Sequence, residues 1–329
     1  MSVSSIENIV TDDKIKPYQR SQHNRRTDSL GQKDLTTKKL EDYADVFADI
    51  FNVLFFKEKI LLENKLKSGP TESIYKSETG DTKGQCRDIL KRYIDDNNKV
   101  VTTFGIENQT TVDDTMPIRI INYDAASYMQ QIKEKEAIHP VYTIVLNMSD
   151  DRWDKAKSIS GMIQTKENLN KKFQNYRLYV YDIAYLENGV IESFQSDFKE
   201  IAYFFKERRL GEDKFFRTSK IKFKHPEAVA DFLSAFTQDD RYKRIVYNLS
   251  DEEKKGGISM CTIAEGLIRE GREEGREEGR EEGREEGREE TLEITTWLAE
   301  NKRFEELIQL KDESVYKRIL KEYKEAIGE

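Results

Sequence analysis

The heptapeptide VYTIVLN, residues 141–147, is an uninterrupted apolar run, which is typical of a strand covered on both faces. A helical pattern that begins at Pro117 precedes it, and the β-rich segment VVTTFGIENQ, residues 100–109, precedes that helix. Strand, helix and strand in this order predict a right-handed parallel crossover. The apolar repeat of the helix consists of Ile118, Ile121, Ala125, Tyr128, Met129 and Ile132.

Further elements extend this unit on both sides. Upstream, the apolar spacing in KKLEDYADVFADIFNVLFF predicts one amphipathic helix of about five turns. CRDILKRY and VVTTFGIENQ, separated by the turn-forming IDDNNK, predict a hairpin, to which ESIYKSE adds an edge strand. Downstream, YRLYVYDIAYL predicts a strand, and DFKEIAYFFKERRL and PEAVADFLSAF predict helices. The expected fold is α/β with a mixed sheet, in the order αβββαβ with a helical C-terminal extension.

The composition divides the chain into five segments. Residues 1–40 are polar without apolar periodicity, and we expect them to be disordered. A core at residues 41–150 is followed by the rest of the same domain, a helical extension, at residues 151–255. A charged arm at residues 256–290 leads to a small helical unit at residues 291–329.

Much of the net charge of the chain lies in the arm. The chain carries a formal charge of −8, and five Gly-Arg-Glu-Glu units at residues 271–290 contribute −5 of it. The rest is nearly balanced, which leaves room for local basic patches that bind nucleic acid. Because the repeat has a period of four against 3.6 residues per turn, each residue type drifts by about 40° per unit. No face stays apolar, so the repeat predicts a marginal, solvated helix or spacer and excludes an ordinary coiled coil.

Apolar residues recur at helical intervals beyond the repeat and indicate the small terminal unit. They are Leu298, Phe304, Leu307, Ile308, Val315, Ile319 and Tyr323. We expect this C-terminal helical arm to be a surface for a partner or for a homo-oligomer.

Two cysteines, Cys86 and Cys261, and three scattered histidines have neither the spacing of a metal site nor that of a disulfide framework. The sequence has no run of 18 apolar residues and no N-terminal signal pattern. These features predict a cytoplasmic protein without a membrane partner.

The alternation of side chains along VVTTFGIENQ divides its residues between two faces. Gly105, Glu107 and Gln109 share one face, and Phe104 and Ile106 take the other, which we expect to be the core. The end of the strand is therefore polar on one side only.

The hairpin loop decides what lies across from this polar face. If the loop has an even number of residues centred on Asp96 and Asn97, Asp88 lies opposite Gly105 and diagonal to Glu107, with Cα atoms roughly 7–8 Å apart. An odd-length loop would turn Asp88 to the opposite face.

Two carboxylates on one face are unfavourable unless a proton or a counter-charge joins them. A divalent cation with hard oxygen ligands, Mg²⁺ or Mn²⁺, would bridge Asp88 and Glu107. Gly105 lacks a side chain between them, which suggests that another group approaches the backbone closely.

Five blocks in one order carry a family resemblance: FADIFN, RDIL, GIENQ, MPIRIINYDAASYM and PVYTIVLN. In these blocks the chain resembles the Rpn-type recombination-promoting nucleases, transposase-related (YhgA-like) proteins of the PD-(D/E)XK superfamily. The resemblance covers residues 41–250, and the charged glycine repeat also looks like the tails of this family. It implies a restriction-endonuclease-like core, Mg²⁺-dependent DNA cleavage, and a role in recombination or transposition.

Carried over by motif, Asp88 matches the first metal-binding acid and Glu107 the second. Gln109 falls where the wider superfamily has a lysine, so it can position water or phosphate but brings no charge. Arg87 and Arg119 are candidates for the missing positive charge. The expected mechanism is hydrolysis with one or two metal ions.

The N-terminal residues of the second helix are candidates for contacts with DNA. Arg119 and Tyr123 open this helix near the end of the catalytic strand, and helix N-termini attract phosphate. It is an equally good interpretation that Arg119 pairs with Asp113 or Asp114 and does not contact DNA. We also expect Arg87 to contact DNA.

Several interpretations stay open. Asp49 and Asn52 lie where the superfamily often has an extra acid, although a solvated position for Asp49 is the simpler interpretation. For Trp153 a packing role is preferred to a substrate contact. The chain as a whole could be a catalytically weak relative that binds DNA or a protein, or a scaffold that assembles through its arm.

Overall fold

The computed structural model describes residues 33, 35–70, 72–76, 82–163, 172–212 and 219–328. Its strands are β1 Leu66–Ser68, β2 Glu72–Lys76, β3 Thr82–Cys86, β4 Ile89–Ile94, β5 Val100–Gln109, β6 Val141–Asn147 and β7 Tyr179–Asp182. Five of them form one mixed sheet in the order β1-β4-β5-β6-β7, in which β1, β4 and β5 are antiparallel and β5, β6 and β7 parallel. The expected mixed α/β architecture is confirmed.

The helices before the arm pack around this sheet or follow it. They are α1 (residues 35–41), α2 Ala44–Ile50, α3 Met116–Lys133, α4 Ile159–Met162, α5 Asn188–Ser193, α6 Phe198–Leu210, α7 Pro226–Thr237, α8 Arg241–Tyr247 and α9 Asp251–Gly256. The helix α3 connects the parallel strands β5 and β6, as the strand, helix and strand order predicts. Because β7 also pairs in this sheet, the main fold extends beyond residue 150, where the predicted core ends.

The edge strand is not the predicted one. ESIYK forms β2, which pairs with β3 in a separate two-stranded sheet. The edge beside β4 is instead filled by the short strand β1, whose Leu66 pairs with Tyr93. The alternation in the sequence indicates a strand but does not choose its partner.

The predicted long first helix is interrupted. Residues 35–41 are helical, but Tyr43 has an extended conformation with φ −64° and ψ 130°, after which α2 begins and ends in a π-helical turn, Phe51–Phe56. Thr37 and Leu40 are buried, so the expected disorder up to residue 40 is wrong for the end of that segment. The rest of the predicted disordered segment, residues 1–32, lies outside the described residues.

Two layers of side chains cover the sheet. Phe104 on one face of β5 packs edge to face against Phe51, with ring centroids 4.9 Å apart. On the other face, residues of α3 and of the sheet form a buried cluster: Met116, Ile120, Tyr123, Val145, Trp153 and Leu178. The packing role expected for Trp153 is confirmed.

The apolar repeat of α3 faces solvent rather than the sheet. Ile118, Met129 and Ile132 are 45%, 61% and 57% exposed. The face that packs on the sheet carries Met116, Ile120 and Tyr123 and also two buried polar side chains, Asp124 and Gln131. Asp124 contacts Arg87 close to the candidate site, and Gln131 accepts a hydrogen bond from the main-chain N–H of His139, just before β6.

Asp49 and Asn52 have structural partners. Asp49 accepts hydrogen bonds from the main-chain N–H groups of Gln195 and Ser196, both at 2.7 Å. Asn52 Oδ1 accepts from Leu61 N at 2.7 Å, so it closes the turn after α2. Asp49 therefore fixes the loop at Gln195 and Ser196.

The chain divides into two compact units, Met1–Glu265 and Gly266–Glu329. The second contains most of the 41-residue helix α10, Met260–Glu300, with α11 Phe304–Gln309 and α12 Glu313–Ile327. The repeat is helical and exposed, and the small unit packs around Ile294, Leu298 and Ile319. Of the apolar residues that indicate this unit in the sequence, Phe304 and Ile308 are exposed. Within the described residues, every helix is too short or too polar to cross a membrane.

Candidate active site

The hairpin between β4 and β5 has an odd-length loop. The main-chain N–H of Asp95 donates to the carbonyl oxygen of Lys99 at 2.9 Å, which leaves a three-residue loop whose last residue, Asn98, has φ 60°. On its own this loop would turn Asp88 toward the face that carries Phe104 and Ile106.

A β-bulge cancels the effect of the loop. Ile94 pairs with Val100, whereas Tyr93 pairs with Thr102, so Val101 is an additional residue in β5. From there the register continues to Ile89, which pairs with Ile106. Asp88 is a bend just before β4, and extending the same register by one position sets it across from Glu107. The predicted partner of Asp88, Gly105, is therefore wrong by two residues, but the predicted shared face is correct.

Asp88 and Glu107 lie together at the end of the hairpin. The Asp88 carboxylate accepts a hydrogen bond from the main-chain N–H of Asn108 at 2.7 Å, the residue that follows Glu107. Glu107 is 1% exposed, and its Oε2 atom has no hydrogen-bond partner among the described residues. An unpartnered buried carboxylate oxygen is costly, which marks this atom as a position for a ligand.

Arg119 and Gln109 contact the other oxygen of Glu107. Arg119 Nη2 donates to Glu107 Oε1, and Gln109 Nε2 donates to the same atom at 3.4 Å. Arg119 also donates to Asp113 Oδ2 at 2.7 Å and to the Tyr123 hydroxyl at 3.1 Å. The structure thus brings together Glu107, Gln109, Arg119 and Tyr123, and the pairing of Arg119 with Asp113 is confirmed.

Gly105 makes room for Arg87. A Cβ atom on Gly105 would lie 2.5 Å from Arg87 Cδ, so the close approach expected at this glycine comes from the chain itself. Arg87 is 2% exposed and its Nη2 donates to Asp124 Oδ1 at 2.8 Å. A guanidinium held this deeply cannot reach DNA, and the contact expected for Arg87 is therefore wrong. Tyr123 is also buried.

Asp124 is the centre of a buried network below the site. Besides Arg87, it accepts hydrogen bonds from Thr143 Oγ1 at 2.6 Å and from the Tyr176 hydroxyl. Burial raises the pKa of Asp124, and the Arg87 charge and these hydrogen bonds oppose that shift. Burial lowers the pKa of Arg87. The network holds the Arg87 charge close to Glu107.

The acidity of Glu107 is changed by its surroundings. Burial, and next the charge of Asp88, raise the pKa of Glu107 to about 8, against the opposing charge of Arg119. For Arg119, burial lowers the pKa, but hydrogen bonds to Tyr123 and Asp113 and the Glu107 charge raise it overall. Two interacting carboxylates at a strand end therefore bind a proton or a cation readily.

Lys38 is a site residue that the sequence did not indicate. It lies on α1, and its Nζ is 3.0 Å from Asp88 Oδ1. The helix α1 is tied to the same strand because Asn108 Nδ2 donates to Glu41 Oε2 at 2.6 Å. A lysine in a polar segment carries no signal in the sequence that distinguishes it from its neighbours.

The side chains at the site supply some, but not all, of the oxygen ligands that a hard divalent cation takes. Asp88 and Glu107 supply two carboxylates, and the unpartnered Oε2 of Glu107 is available for a ligand. Within the ranges that the structure describes, three or more His, Cys, Asp or Glu side chains are nowhere grouped closely enough to hold a metal ion. A cation here would therefore be bound by two carboxylates and complete its coordination with water and substrate.

Comparison of the chain with protein-family models, with curated proteins and with solved structures gives no match. The function proposed for the chain therefore depends on the geometry of this site together with the resemblance carried by its sequence blocks.

Proposed function

We propose that this chain is a metal-dependent endonuclease that hydrolyses phosphodiester bonds in DNA. The observation that carries the proposal is the placement of Asp88 and Glu107 together at the end of the hairpin, with one buried Glu107 oxygen lacking a partner. A role in recombination or transposition is part of the proposal only through the resemblance to the Rpn-type nucleases.

Asp88 and Glu107 would hold Mg²⁺ or Mn²⁺. When bound, such an ion lowers the pKa of a coordinated water and stabilises negative charge on a phosphate. Gln109, whose amide lies 3.4 Å from Glu107, would orient water or phosphate without taking a proton. Because Gln109 is uncharged, the positive charge at the phosphate must come from elsewhere.

Two cations near the carboxylates are suited to that task. Lys38 is within 3.0 Å of Asp88 and its side chain is 30% exposed, so its ammonium group can meet a substrate. Arg119 is similarly exposed, but its guanidinium is already engaged by Glu107, Asp113 and Tyr123. Lys38 is therefore the better candidate for contact with phosphate, and Arg119 for positioning Glu107.

A plasmid assay tests the proposal. Purified protein is incubated with supercoiled plasmid, with and without Mg²⁺ or Mn²⁺, beside Asp88→Asn, Glu107→Gln and the control Asp114→Asn. Asp114 is exposed and lies close in sequence to the site, so its loss of charge should leave cleavage unchanged. We expect metal-dependent nicking by the wild type and the control, and a loss of at least ~100-fold in the two site variants. Equal nicking by all four proteins would reject the site.

One observation favours a second candidate, a relative that binds DNA without cleaving it. Lys38 and Arg119 neutralise Asp88 and Glu107 in the structure, as they would in a site that never takes a metal. Titration calorimetry with Mn²⁺ separates the two candidates. Heat of Mn²⁺ binding that is present in the wild type and absent in Glu107→Gln supports the nuclease function. No binding heat in either protein supports a relative that binds DNA without cleaving it.

A further inference from the structure

Arg152 and Arg209 share one aromatic ring. The guanidinium carbon of Arg152 lies 4.5 Å from the Tyr185 ring centroid, and that of Arg209 lies 4.3 Å from the same centroid. Arg209 also donates to the carbonyl oxygen of Ala184 at 2.8 Å. The two distances to the centroid, 4.5 and 4.3 Å, add to 8.8 Å, so the two guanidinium carbons lie no farther apart than that.

Neither guanidinium forms an ion pair with a carboxylate in the part of the chain that the structure describes. Two nearby acids already pair with other cations. Asp150 pairs with Arg208 at 2.8 Å, and Asp154 pairs with Lys155 at 3.3 Å. Arg152 is exposed to solvent. A phosphate backbone that passed Tyr185 would therefore meet a planar, charged donor group on each of Arg152 and Arg209.

The strand register places this pair on the same edge of the sheet as the candidate active site. Gln109, Asn147 and Asp182 lie side by side at the ends of β5, β6 and β7. Asn147 Nδ2 donates to the Asp151 carbonyl oxygen at 2.7 Å, which ties the loop that carries Arg152 to this edge. Tyr185 follows Asp182 by three residues, and its hydroxyl donates to the Asp150 carbonyl oxygen at 3.0 Å.

The spacing along this edge suits a nucleic-acid backbone. Strands about 4.8 Å apart put the ends of β5 and β7 roughly 10 Å from each other, which is about three steps of a duplex that rises 3.4 Å per step. A strand whose phosphate lies at Asp88 and Glu107 would therefore bring a phosphate about three steps along toward the end of β7, where Arg152 and Arg209 stack on Tyr185.

We infer that Arg152, Tyr185 and Arg209 form a phosphate-binding site for the DNA backbone beside the catalytic carboxylates. The choice of DNA rests on the proposed nuclease function. The contribution of Arg152 and Arg209 is electrostatic, so it should depend on salt and not on the base sequence.

The salt dependence of binding tests this site directly. Affinity for a fluorescent 20-base-pair duplex is measured in EDTA, where no metal-dependent cleavage occurs, between 50 and 200 mM salt. Each lost phosphate contact reduces the slope of log K against log salt by about 0.9, so Arg152→Gln/Arg209→Gln should reduce it by nearly 2 and weaken binding roughly tenfold at low salt. Lys155→Gln, which removes a charge already paired with Asp154, should change neither value.

A charge-preserving variant separates the electrostatic role from a structural one. Arg152→Lys/Arg209→Lys should keep the wild-type slope even if loss of stacking lowers the melting temperature. An unchanged slope in the glutamine double variant, or a wild type that does not bind the duplex, overturns the proposal. If the slope falls as expected but the plasmid assay shows no cleavage by the wild type, the phosphate site stands and the nuclease function falls.

Discussion

The charged form of Glu107, which a metal ion would require, is the form that burial disfavours. Its carboxyl group is buried, and burial together with the charge of Asp88 raises its pKa to about 8 from an ordinary value of 4.5. Between these two pH values the folded protein keeps a proton that the unfolded chain releases. The free energy of unfolding therefore decreases as pH rises through this window.

We expect Glu107→Gln to remove this pH dependence. In the wild type the Glu107 contribution should decrease by up to ~1.4 kcal/mol per pH unit between about pH 5 and pH 8, while the glutamine variant loses that slope. Urea unfolding at pH 5, 6, 7 and 8 measures the difference between the two proteins. Asp114→Asn, an exposed acid, should follow the wild type. Parallel curves for the wild type and Glu107→Gln would contradict the raised pKa.

Lys38 allows a test with a neighbouring lysine as control. We expect Lys38→Met to slow cleavage by about 100-fold, because one cation that stabilises charge in the transition state is removed. Lys39→Met should leave the rate unchanged, since Lys39 pairs with Asp231 at 2.6 Å and not with the site carboxylates. A faster Lys38→Met enzyme would instead make Lys38 a counter-ion that competes with the metal.

The sequence predicted the face on which the carboxylates lie, but it did not predict the buried network around Asp124. Alternation along β5 placed Glu107 and Gln109 on one face, because the period of a strand is fixed by its backbone. Asp124 could not be predicted, because it lies outside the predicted apolar repeat of α3, and a charged side chain beside such a repeat normally meets water. Gly105 was recognised as a close approach, but the approaching group, Arg87, is defined only by the folded chain.

At the scale of elements, the register of the hairpin and the breaks in helices were the hardest to predict. β6 and α3 have the predicted extents because a continuous apolar run and a proline start depend on local sequence alone. The break at Tyr43 and the bulge at Val101 depend on contacts made elsewhere in the fold. Neither has a glycine or proline to mark it.

The arm helix should become more stable when its glycines are replaced by alanine. A Cβ atom on Gly271, Gly275, Gly279, Gly283 or Gly287 would meet no atom within 4 Å, and alanine gains up to ~1 kcal/mol per site in a helix. Circular dichroism should show higher helicity and a later loss of helix on heating in the five-alanine variant. Gly211→Ala is the control, since that site is equally open but has φ +66°, so alanine should destabilise it. A five-alanine variant with lower helicity would mean that another segment packs on the glycines.

At the scale of the whole molecule, the two compact units allow the site and the assembly surface to be separated. All the site residues named above lie in the first unit, Met1–Glu265. We expect a chain that ends at Glu265 to keep metal-dependent cleavage but to lose the oligomeric state that we predict for the full chain. Light scattering gives the molar mass, and the plasmid assay gives the activity. If the measured mass, divided by the mass of the shortened chain, gives the same number of subunits as in the full chain, the second unit is excluded as the assembly surface.

The additional residue at Val101 has a consequence for how this hairpin can vary in length. The three-residue loop and the bulge each shift the two strands by one position, and together they restore the face on which Asp88 and Glu107 meet. Removing either residue alone would point Asp88 into the aromatic layer, whereas removing one loop residue together with Val101 would leave the carboxylates paired. This hairpin should therefore keep its two carboxylates on one face when two residues are lost or gained together, but not when its length changes by a single residue.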